Sequence, residues 1–269
     1  KNTIFNINEE TIVITGASGQ LGLFYTRALL EQSANVIAID INKAEDFENL
    51  EKIYLNKFLY LDCDITSKDS LKDALDSINE KFSSTPTVLI NNAALDSPPD
   101  SSGNENCSFE NYSEELWDKV ISVDMKGNFL CSQVFGHAMS QNKTGSIINI
   151  SSIYGLLSPD QSLYDYRRKN NKEFYKPVAY SASKSGILNL TRYLAVYWAK
   201  KNVRVNTLSL GGIFNNQDKQ FIENYNKRVP IGRLANPDDI IGAIIYLSSS
   251  ASQYVTGSNI VIDGGWTAI

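Results

Sequence analysis

The 269-residue sequence contains a single histidine, His137, and this scarcity excludes several classes of catalytic site. A Ser-His-Asp hydrolase needs a histidine beside its nucleophile, and most zinc sites need several imidazole or thiolate ligands. Because His137 lies within a helical pattern, we interpret it as a structural residue. We therefore predict neither a hydrolase triad nor a metal site.

Cysteine, basic blocks and long apolar runs are scarce as well. The cysteines Cys63, Cys107 and Cys131 show no paired spacing, which is typical of reduced thiols in a cytoplasmic protein. No apolar run reaches the ~18 residues of a membrane span, and the first five residues include no secretory hydrophobic region. The net charge is −5 without a basic block. We expect no binding to membranes or nucleic acid.

What the chain does contain is a regular alternation of β-rich apolar runs with helical stretches. Strands are predicted at Thr11–Thr15, Val36–Asp40, Phe58–Leu61, Val88–Asn91, Ser146–Ser151, Arg204–Ser209 and Asn259–Ile262. Helices are predicted at 20–29, 68–82, 114–140, 178–200 and 237–249. Buried-type strands alternating with helices indicate a parallel sheet covered on both faces. With no internal repeat or linker, we predict a single α/β domain over 1–269, a doubly wound parallel sheet of the Rossmann type.

The first predicted strand runs directly into a glycine-rich turn. Glycine lets the backbone turn tightly and approach a ligand, and the N-terminus of the helix that follows offers free N–H groups to a pyrophosphate. Because the turn joins the first strand to a helix, we interpret it as a dinucleotide site, with a ligand-free glycine turn as the alternative. The predicted cofactor contacts are Gly16, Ser18, Gly19, Gln20, Leu21 and Gly22.

Asp40 ends the second predicted strand, about 20 residues after the glycines, where dinucleotide-binding proteins use a carboxylate to bind the ribose hydroxyls. Such a carboxylate would repel the 2′-phosphate of NADP, and the nearest basic residue is Lys43. The sequence therefore favours NAD(H). A helix-capping role for Asp40 and an NADP-linked reductase are the alternatives.

Further candidates follow the later strands. Asp64 and Ile65 could frame the adenine ring, although an aspartate before a turn is common. Small residues around Asn91 and Ala93 would let a flat cofactor lie against the backbone. Ser152 is the second of two serines at the carboxyl end of the fifth strand, and this edge of an open α/β sheet is where ligands bind.

Tyr180 and Lys184 are four residues apart in a predicted helix, so the phenol and the ammonium should lie on one face about one turn apart. A nearby cation favours phenolate and lowers a pKa that starts near ~10. Such a tyrosine can move a proton to or from a hydroxyl or carbonyl. Taken alone, the pair would be better explained as a surface tyrosine and a solvated lysine.

Two polar segments border these motifs. Residues 95–112 form a Pro/Ser/Asn/Gly-rich loop that could be part of a substrate mouth or ordinary surface. The segment between Ser152 and Tyr180 carries a cluster of positive charge in a chain that is acidic overall, comprising Arg167, Arg168, Lys169, Lys172 and Lys176. A charge run is usually a solvated face. The alternative is an anion site for a phosphorylated or carboxylated substrate.

In their order along the chain, these motifs resemble the short-chain dehydrogenase/reductase family over essentially the whole sequence. The motifs that carry the resemblance are Thr15-Gly16-(x2)-Gly19-(x2)-Gly22, Asn91-Asn92-Ala93-Ala94, Ser152, Tyr180-(x3)-Lys184, Arg204-Val205-Asn206, Arg233–Asp239, Val255–Ser258 and Asp263-Gly264-Gly265. The resemblance implies an NAD(P)-dependent oxidoreductase that transfers hydride between the nicotinamide and a carbonyl or secondary alcohol. It also implies a homodimer or homotetramer built through the helices at 114–140 and 178–200.

The family implies a role for each matching residue. Tyr180 would be the acid/base, Lys184 would bind the nicotinamide ribose, and Ser152 would orient the reacting oxygen. The Ile213 backbone would meet the carboxamide, and Asn215, where the family usually has threonine, could hydrogen-bond the cofactor.

Two departures from the family pattern bear on catalysis and substrate. Asp124 stands where the family usually has an asparagine that supports a water-mediated proton relay. Asp124 can accept the same hydrogen bond but adds negative charge near Lys184, so a non-catalytic NAD-binding regulatory protein is an alternative. The segment at 156–177 is also longer than is usual, and a long loop in a compact domain is often functional. In this respect the chain resembles a branch found in flagellin and surface-glycan modification, which suggests a sugar or sugar-phosphate substrate.

Overall fold

The computed structural model describes residues 3–96, 106–170, 172 and 174–269. Seven parallel strands form one sheet in the order β3-β2-β1-β4-β5-β6-β7. Their bounds are β1 Thr11–Thr15, β2 Asn35–Asp40, β3 Phe58–Asp62, β4 Val88–Asn91, β5 Gly145–Ser152, β6 Val203–Leu210 and β7 Asn259–Ile262. The doubly wound α/β fold is thus confirmed, with every predicted strand within a residue of its observed limits.

Helices cover both faces of the sheet. They are α1 Gln20–Glu31, α2 Glu45–Ile53, α3 Lys68–Phe82, α4 Glu114–Val120, α5 Asn128–Cys131, α6 His137–Asn142, α7 Asp165–Lys169, α8 Val178–Trp198, α9 Lys219–Asn226 and α10 Asp238–Ser248. Short 3₁₀ turns lie at Phe109–Asn111, Ile153–Gly155, Gln161–Tyr164, Ala199–Lys201, Ser250–Ser252 and Trp266–Ala268. The sequence analysis missed α2, α7 and α9. None of the described helices is long and apolar enough to cross a membrane.

Alternate residues of each strand enter two different core layers, because successive side chains of a strand point to opposite faces. Ile12 and Ile14 of β1 pack with Tyr25 and Leu29 of α1, whereas Val13 between them faces the layer of α3 and α8. All of these strand side chains are fully buried. Burial on both faces explains why the central strands β1, β2 and β4 are rich in valine, isoleucine and leucine with few polar residues.

The predicted helix at 114–140 is one helical body that contains two π-helical segments. These segments, Ile121–Gly127 and Ser132–Gly136, connect α4, α5 and α6 without leaving helical backbone angles. A π-helical turn widens the helix and is frequent at functional sites. Here the first segment carries Asp124, which is buried.

The described residues of the segment at 156–177 build a third apolar cluster with α9. Tyr164 stacks between Phe174 and Phe221, with ring centroids 4.5 Å and 5.6 Å away. Polar contacts join the same two elements: Asn224 donates to the Leu163 carbonyl at 3.1 Å, and Tyr166 is hydrogen-bonded to Asp218. The long Ser-to-Tyr segment is therefore a packed part of the domain.

Candidate active site

The candidate site lies at the carboxyl edge of the sheet, where β1 and β4 are neighbours. The chain runs from β1 outward to β2 and β3 and then returns to β4 on the other side of β1. This reversal opens a crevice between the loops that follow β1 and β4. A cleft of ≈ 280 Å³ lies there and extends from Gln20 and Leu21 at the start of α1 to Ser152, Tyr180 and Lys184.

The glycine turn after β1 is shaped so that larger residues would not fit. Gly16 has φ +63°, and a Cβ atom on it would lie 2.6 Å from Cα of Ala93. A Cβ on Gly22 would lie 2.2 Å from the Gly16 carbonyl oxygen. A Cβ on Gly19 would meet only that same oxygen, at 3.4 Å, so one side of the turn is open.

The N-terminus of α1 opens into this space. Gly19 is its N-cap, no side chain caps the helix, and no acidic residue lies in its first turn. Its N–H groups and the positive end of the helix dipole are therefore suited to an anion such as a pyrophosphate. Gln20 donates from Nε2 to the Phe214 carbonyl at 2.7 Å, which joins this turn to the loop after β6.

Asp40 is fixed beside the turn by two backbone groups. Ser18 N donates to Oδ2 at 3.0 Å, and Asn42 N donates to Oδ1 at 3.1 Å. Lys43, the nearest base in the sequence, is ion-paired with Glu51 at 2.9 Å and lies 5.5 Å from the Tyr60 ring centroid. The carboxylate therefore stands next to the predicted phosphate site, and the adjacent lysine has an acidic partner.

Asp64 and Ile65 lie after β3, on the side of the sheet beyond β2. The Asp64 carboxylate accepts hydrogen bonds from Thr66 N and Thr66 Oγ1, both at 2.8 Å, which is the turn-capping arrangement. Ile65 is buried, and its Cδ1 atom lies where a Cβ on Gly127 would be. A role for either residue at an adenine ring stays a prediction.

The Asn91 side chain points away from the cleft, into a buried polar network. Its Nδ2 donates to Asn149 Oδ1 at 2.9 Å and to Ser132 Oγ at 3.2 Å. Only the backbone of Asn91 remains available for the predicted cofactor contact. Asn92 holds the glycine turn instead, by donating to the Thr15 and Gly16 carbonyls at 3.1 Å and 3.2 Å, and Ala93 packs on Gly16.

Tyr180 and Lys184 project from α8 toward the end of β5. Lys184 Nζ lies 5.5 Å from the Tyr180 ring centroid and donates to the Ile150 carbonyl at 3.1 Å. Ser152 accepts from Tyr154 N at 3.1 Å and donates a hydrogen bond to the Tyr180 phenol. The three groups singled out from the sequence therefore meet in one cleft.

The ionisation of Tyr180 differs from the expectation. Burial, followed by the negative charge of Asp96, raises the pKa of Tyr180 well above its usual value, and the Ser152 hydrogen bond opposes this only in part. Burial also lowers the pKa of Lys184. The pKa of Tyr180 is therefore not lowered as expected from the nearby Lys184, because burial disfavours the charged phenolate.

Asp124 is buried behind this group and joins three elements. Its Oδ1 accepts from Leu95 N at 2.8 Å, and its Oδ2 lies 3.1 Å from Ser183 Oγ of α8. Burial raises the pKa of Asp124, while Lys184 and these hydrogen bonds lower it. Its negative charge raises the pKa values of both Tyr180 and Lys184. Asp124 therefore fixes the loop after β4 against α8 and acts on both candidate catalytic groups.

The loop after β6 supplies the remaining predicted cofactor residues. Ile213 forms a parallel bridge with Ala235, and its carbonyl accepts from Gln217 Nε2 at 2.7 Å. Asn215 N donates to Gln217 Oε1 at 2.8 Å. Both predicted residues line the cleft opposite α1. Their contacts with a nicotinamide stay predictions.

The basic segment is not a solvated face. Arg167 is buried and lies 5.0 Å from the Phe174 ring centroid, and Arg168 donates to the carbonyls of Phe174 and Gln161 at 2.7 Å and 2.6 Å. Of the five basic residues in this segment, only Lys169 and Lys172 are exposed. The arginines hold the segment together, so the predicted anion site on them has no support.

Lys176 and Asp96 are functional candidates that the sequence analysis named only as members of larger segments, without predicting that they form a pair. They form an ion pair in the wall of the cleft, and Lys176 Nζ lies 4.9 Å from the Tyr180 ring centroid. One signal was present, since Lys176 precedes Tyr180 by four residues just as Lys184 follows it. Asp96 belongs to the loop considered as a substrate mouth, of which residues 97–105 lie outside the described part of the chain.

Comparison with known proteins places this geometry among oxidoreductases. Residues 16–267 match the family model described as Enoyl-(Acyl carrier protein) reductase. D-arabinitol 2-dehydrogenase (ribulose-forming) of Candida tropicalis is 31% identical, over 97% of this chain and 94% of the relative. An NAD-dependent glycerol dehydrogenase of Listeria innocua is 30% identical, over 98% and 96% of the two chains.

Two further matches bear on the modification branch and on the cofactor. Post-translational flagellin modification protein A of Campylobacter coli is 31% identical over 97% of this chain and 99% of the relative. The crystal structure of a short chain dehydrogenase from Leptospira borgpetersenii, with bound NAD+, superposes with a TM-score of 0.83 at 34% identity. That match covers 99% of this chain and 96% of the other.

Proposed function

The chain belongs to the short-chain dehydrogenase/reductase family of NAD(P)-dependent oxidoreductases, and from that premise we propose that it is an NAD-dependent dehydrogenase of a polyol or sugar-derived alcohol. The convergence of Ser152, Tyr180 and Lys184 on a cleft that begins at the N-terminus of α1 carries the proposal. Cofactor and proton-transfer groups must meet in this way for alcohol oxidation.

The residues present fit NAD. The uncapped start of α1 and the open side of the turn at Gly19 would hold the pyrophosphate. Asp40, already oriented by Ser18 N, would accept hydrogen bonds from the ribose hydroxyls and repel a 2′-phosphate. Bound there, NAD+ supplies the acceptor for the hydride that leaves the alcohol carbon. The bound NAD+ of the Leptospira neighbour supports the same assignment.

We assign the proton transfer to Tyr180. Its phenolate would take the hydroxyl proton of the alcohol, while Ser152 donates a hydrogen bond to the reacting oxygen. Lys184 would bind the nicotinamide ribose and stabilise the phenolate. Asp124 would keep this group in place through Leu95 and Ser183. Since burial raises the pKa of Tyr180, we expect alcohol oxidation to be faster at alkaline pH.

The aromatic lining of the cleft supports a sugar-like substrate. Tyr154, Tyr164 and Tyr225 stand around the space next to Ser152 and Tyr180. Aromatic rings pack against the C–H faces of polyols, and a few polar groups fix their orientation. The named activities of the arabinitol and glycerol dehydrogenases point to the same class of substrate.

The test is a spectrophotometric assay of NAD+ reduction with a panel of polyols and aldoses, repeated with NADP+. We expect turnover with at least one polyol and a lower KM for NAD+ than for NADP+. NADH binding without hydride transfer to or from any member of the panel would contradict the proposal and favour a cofactor-sensing protein. A preference for NADPH would contradict the role given to Asp40.

We also propose that the chain forms a homo-oligomer through the outer face of α8. Tyr193, Val196 and Tyr197 are 64%, 81% and 66% exposed there, and Phe129 of the neighbouring helical body is 44% exposed. Contiguous exposed apolar side chains mark interaction surfaces. Sedimentation analysis of Val196→Glu should show dissociation relative to the unmodified protein, and an unchanged sedimentation coefficient would contradict this surface. The cytoplasmic location stays a prediction.

A further inference from the structure

The two charged side chains of the Lys176–Asp96 ion pair differ in their exposure to the cleft. The Lys176 side chain is 7% exposed, whereas that of Asp96 is 45% exposed. Both residues line the cleft that contains Tyr180. The lysine charge is therefore withdrawn from solvent and paired, and the group that a substrate meets is a carboxylate.

The position of Lys176 is fixed by the segment that precedes α8. Gln161 clamps its backbone at both ends: Lys176 N donates to Gln161 Oε1 at 3.0 Å, and Gln161 Nε2 donates to the Lys176 carbonyl at 3.3 Å. The lysine ammonium also lies over the Tyr180 ring. These contacts fix the ammonium beside Tyr180, and its ion pair holds Asp96 in the wall of the same cleft.

The other charged side chains near Tyr180 do not present a positive charge in place of the Asp96 carboxylate. Lys184 is buried and hydrogen-bonded to the Ile150 carbonyl, and the buried Asp124 stands behind it. A carboxylate accepts hydrogen bonds through two oxygens and donates none. Beside its ion pair with Lys176, Asp96 can accept hydrogen bonds from substrate hydroxyl groups, while a phosphate or carboxylate in the same place would be repelled.

We propose that Asp96, oriented by Lys176, binds hydroxyl groups next to the reacting alcohol and selects neutral polyols over sugar phosphates and sugar acids. This inference rests on the proposed dehydrogenase function and names its substrate class. Lys176 is a positioning residue here, because it acts through Asp96.

The experiment compares a neutral polyol with its sugar acid, D-arabinitol with D-arabinonate, as substrates with NAD+. The unmodified enzyme should prefer the polyol. Asp96→Asn keeps the size of the side chain and removes its charge, so the ratio of kcat/KM for acid over polyol should rise about 10- to 100-fold, the range of hydrogen bonds to charged groups. Asp96→Ala should raise the polyol KM by a similar factor while the Kd for NAD+ stays unchanged.

Lys176 is tested by rescue. Lys176→Met should raise the polyol KM more than it lowers kcat, and Lys176→Arg, which retains the charge, should restore most of the loss. A merely structural lysine would give equal losses in both variants. Asp69→Asn is the matched control, since it neutralises the acidic partner of the exposed Lys72–Asp69 pair far from the cleft.

The outcomes separate this inference from the proposed function. Turnover with an unchanged acid-to-polyol ratio in Asp96→Asn, or a preference of the unmodified enzyme for the acid, overturns the inference alone. No turnover on any alcohol, with normal NAD+ binding, overturns the proposed function itself. Thermal unfolding of each variant shows whether a loss of activity is due to misfolding. If a variant does not fold, the preference of the unmodified enzyme for polyol over acid tests the inference.

Discussion

The glycine turn after β1 and the segment at 156–177 border the same cleft, yet different forces hold them in place. The turn is built mainly from backbone groups and small residues of one short stretch, Gly16, Gly19 and Gly22, with Ala93 of the loop after β4 packed on Gly16. The segment depends on side chains that are distant in sequence, with Tyr164 packed on Phe221 and Lys176 paired with Asp96. The cofactor side is therefore set by local geometry, and the substrate side by tertiary packing.

If the two sides are separable, a change at the chemical centre should leave cofactor affinity intact. Tyr180→Phe removes the proton-transfer group and should lower kcat by about 10²- to 10⁴-fold. The Kd for NADH, measured by fluorescence titration, should change little. Tyr254→Phe is the control, because its side chain is fully exposed and lies outside α8 and the cleft. Near-normal turnover of Tyr180→Phe would remove it as acid/base.

A cavity in the aromatic cluster should damage the substrate side selectively. Phe174 is fully buried against Tyr164, so Phe174→Ala should lower the free energy of unfolding by about 3–5 kcal/mol. In the protein that remains folded, the polyol KM should rise while NAD+ affinity is kept. Chemical denaturation and isothermal titration measure the two effects. The control Phe109→Ala, at a side chain 72% exposed, should change neither the free energy of unfolding nor the polyol KM. A parallel loss of NAD+ binding in Phe174→Ala would show that the two sides of the cleft are not independent.

The converse change should affect the cofactor side alone. Asp40→Asn keeps an acceptor for Ser18 N but removes the charge, so the preference for NAD+ over NADP+ should shrink by roughly 10- to 100-fold, or about 1.4–2.8 kcal/mol. The kcat/KM values for the two cofactors measure this preference. Asp69→Asn, at an exposed carboxylate on α3 outside the cleft, is the control. A change in the polyol KM at saturating NAD+ would contradict the independence of the cofactor side and the substrate side.

The smallest effect is expected at Asp124, which touches both sides. Its charge raises the pKa of Tyr180, so Asp124→Asn should lower that pKa. More phenolate is then present at a given pH, and the rising limb of alcohol oxidation should move to lower pH by less than about one unit. A pH–rate profile measures the shift, with the exposed Asp118→Asn as control. A shift of the rising limb to higher pH would contradict the conclusion that the charge of Asp124 raises the pKa of Tyr180.

Strand and turn motifs were predictable because their causes are local. Short runs rich in β-branched residues and bounded by turn residues favour strands buried on both faces, and glycines at a strand-to-helix turn are typical of a dinucleotide site. Helices α2 and α9 were missed, since each is short and buries only two side chains: Phe47 and Leu50 in α2, Phe221 and Tyr225 in α9. Their positions depend on the surface to which these side chains bind.

The burial and the partners of the charged residues could not be predicted from the sequence. The run from Arg167 to Lys176 looks like one basic patch in sequence, but folding buries Arg167 against Phe174 and turns Lys176 toward Asp96, 80 positions away. The Asn91 side chain likewise joins a buried polar network, while the predicted cofactor contact of its backbone stays a prediction. The direction and partner of a long polar side chain follow from tertiary contacts.

The sequence by itself determined the parallel sheet and the glycine turn, because apolar runs and turn residues fix such elements locally. The meeting of Ser152, Tyr180 and Lys184 was an expectation from the family resemblance, and the structure brings these residues together in one cleft. Only the tertiary structure decided the ionisation of the site and the charge presented to a substrate. Desolvation and ion pairing depend on what surrounds a group in three dimensions, and these contacts come from segments that are far apart in the chain.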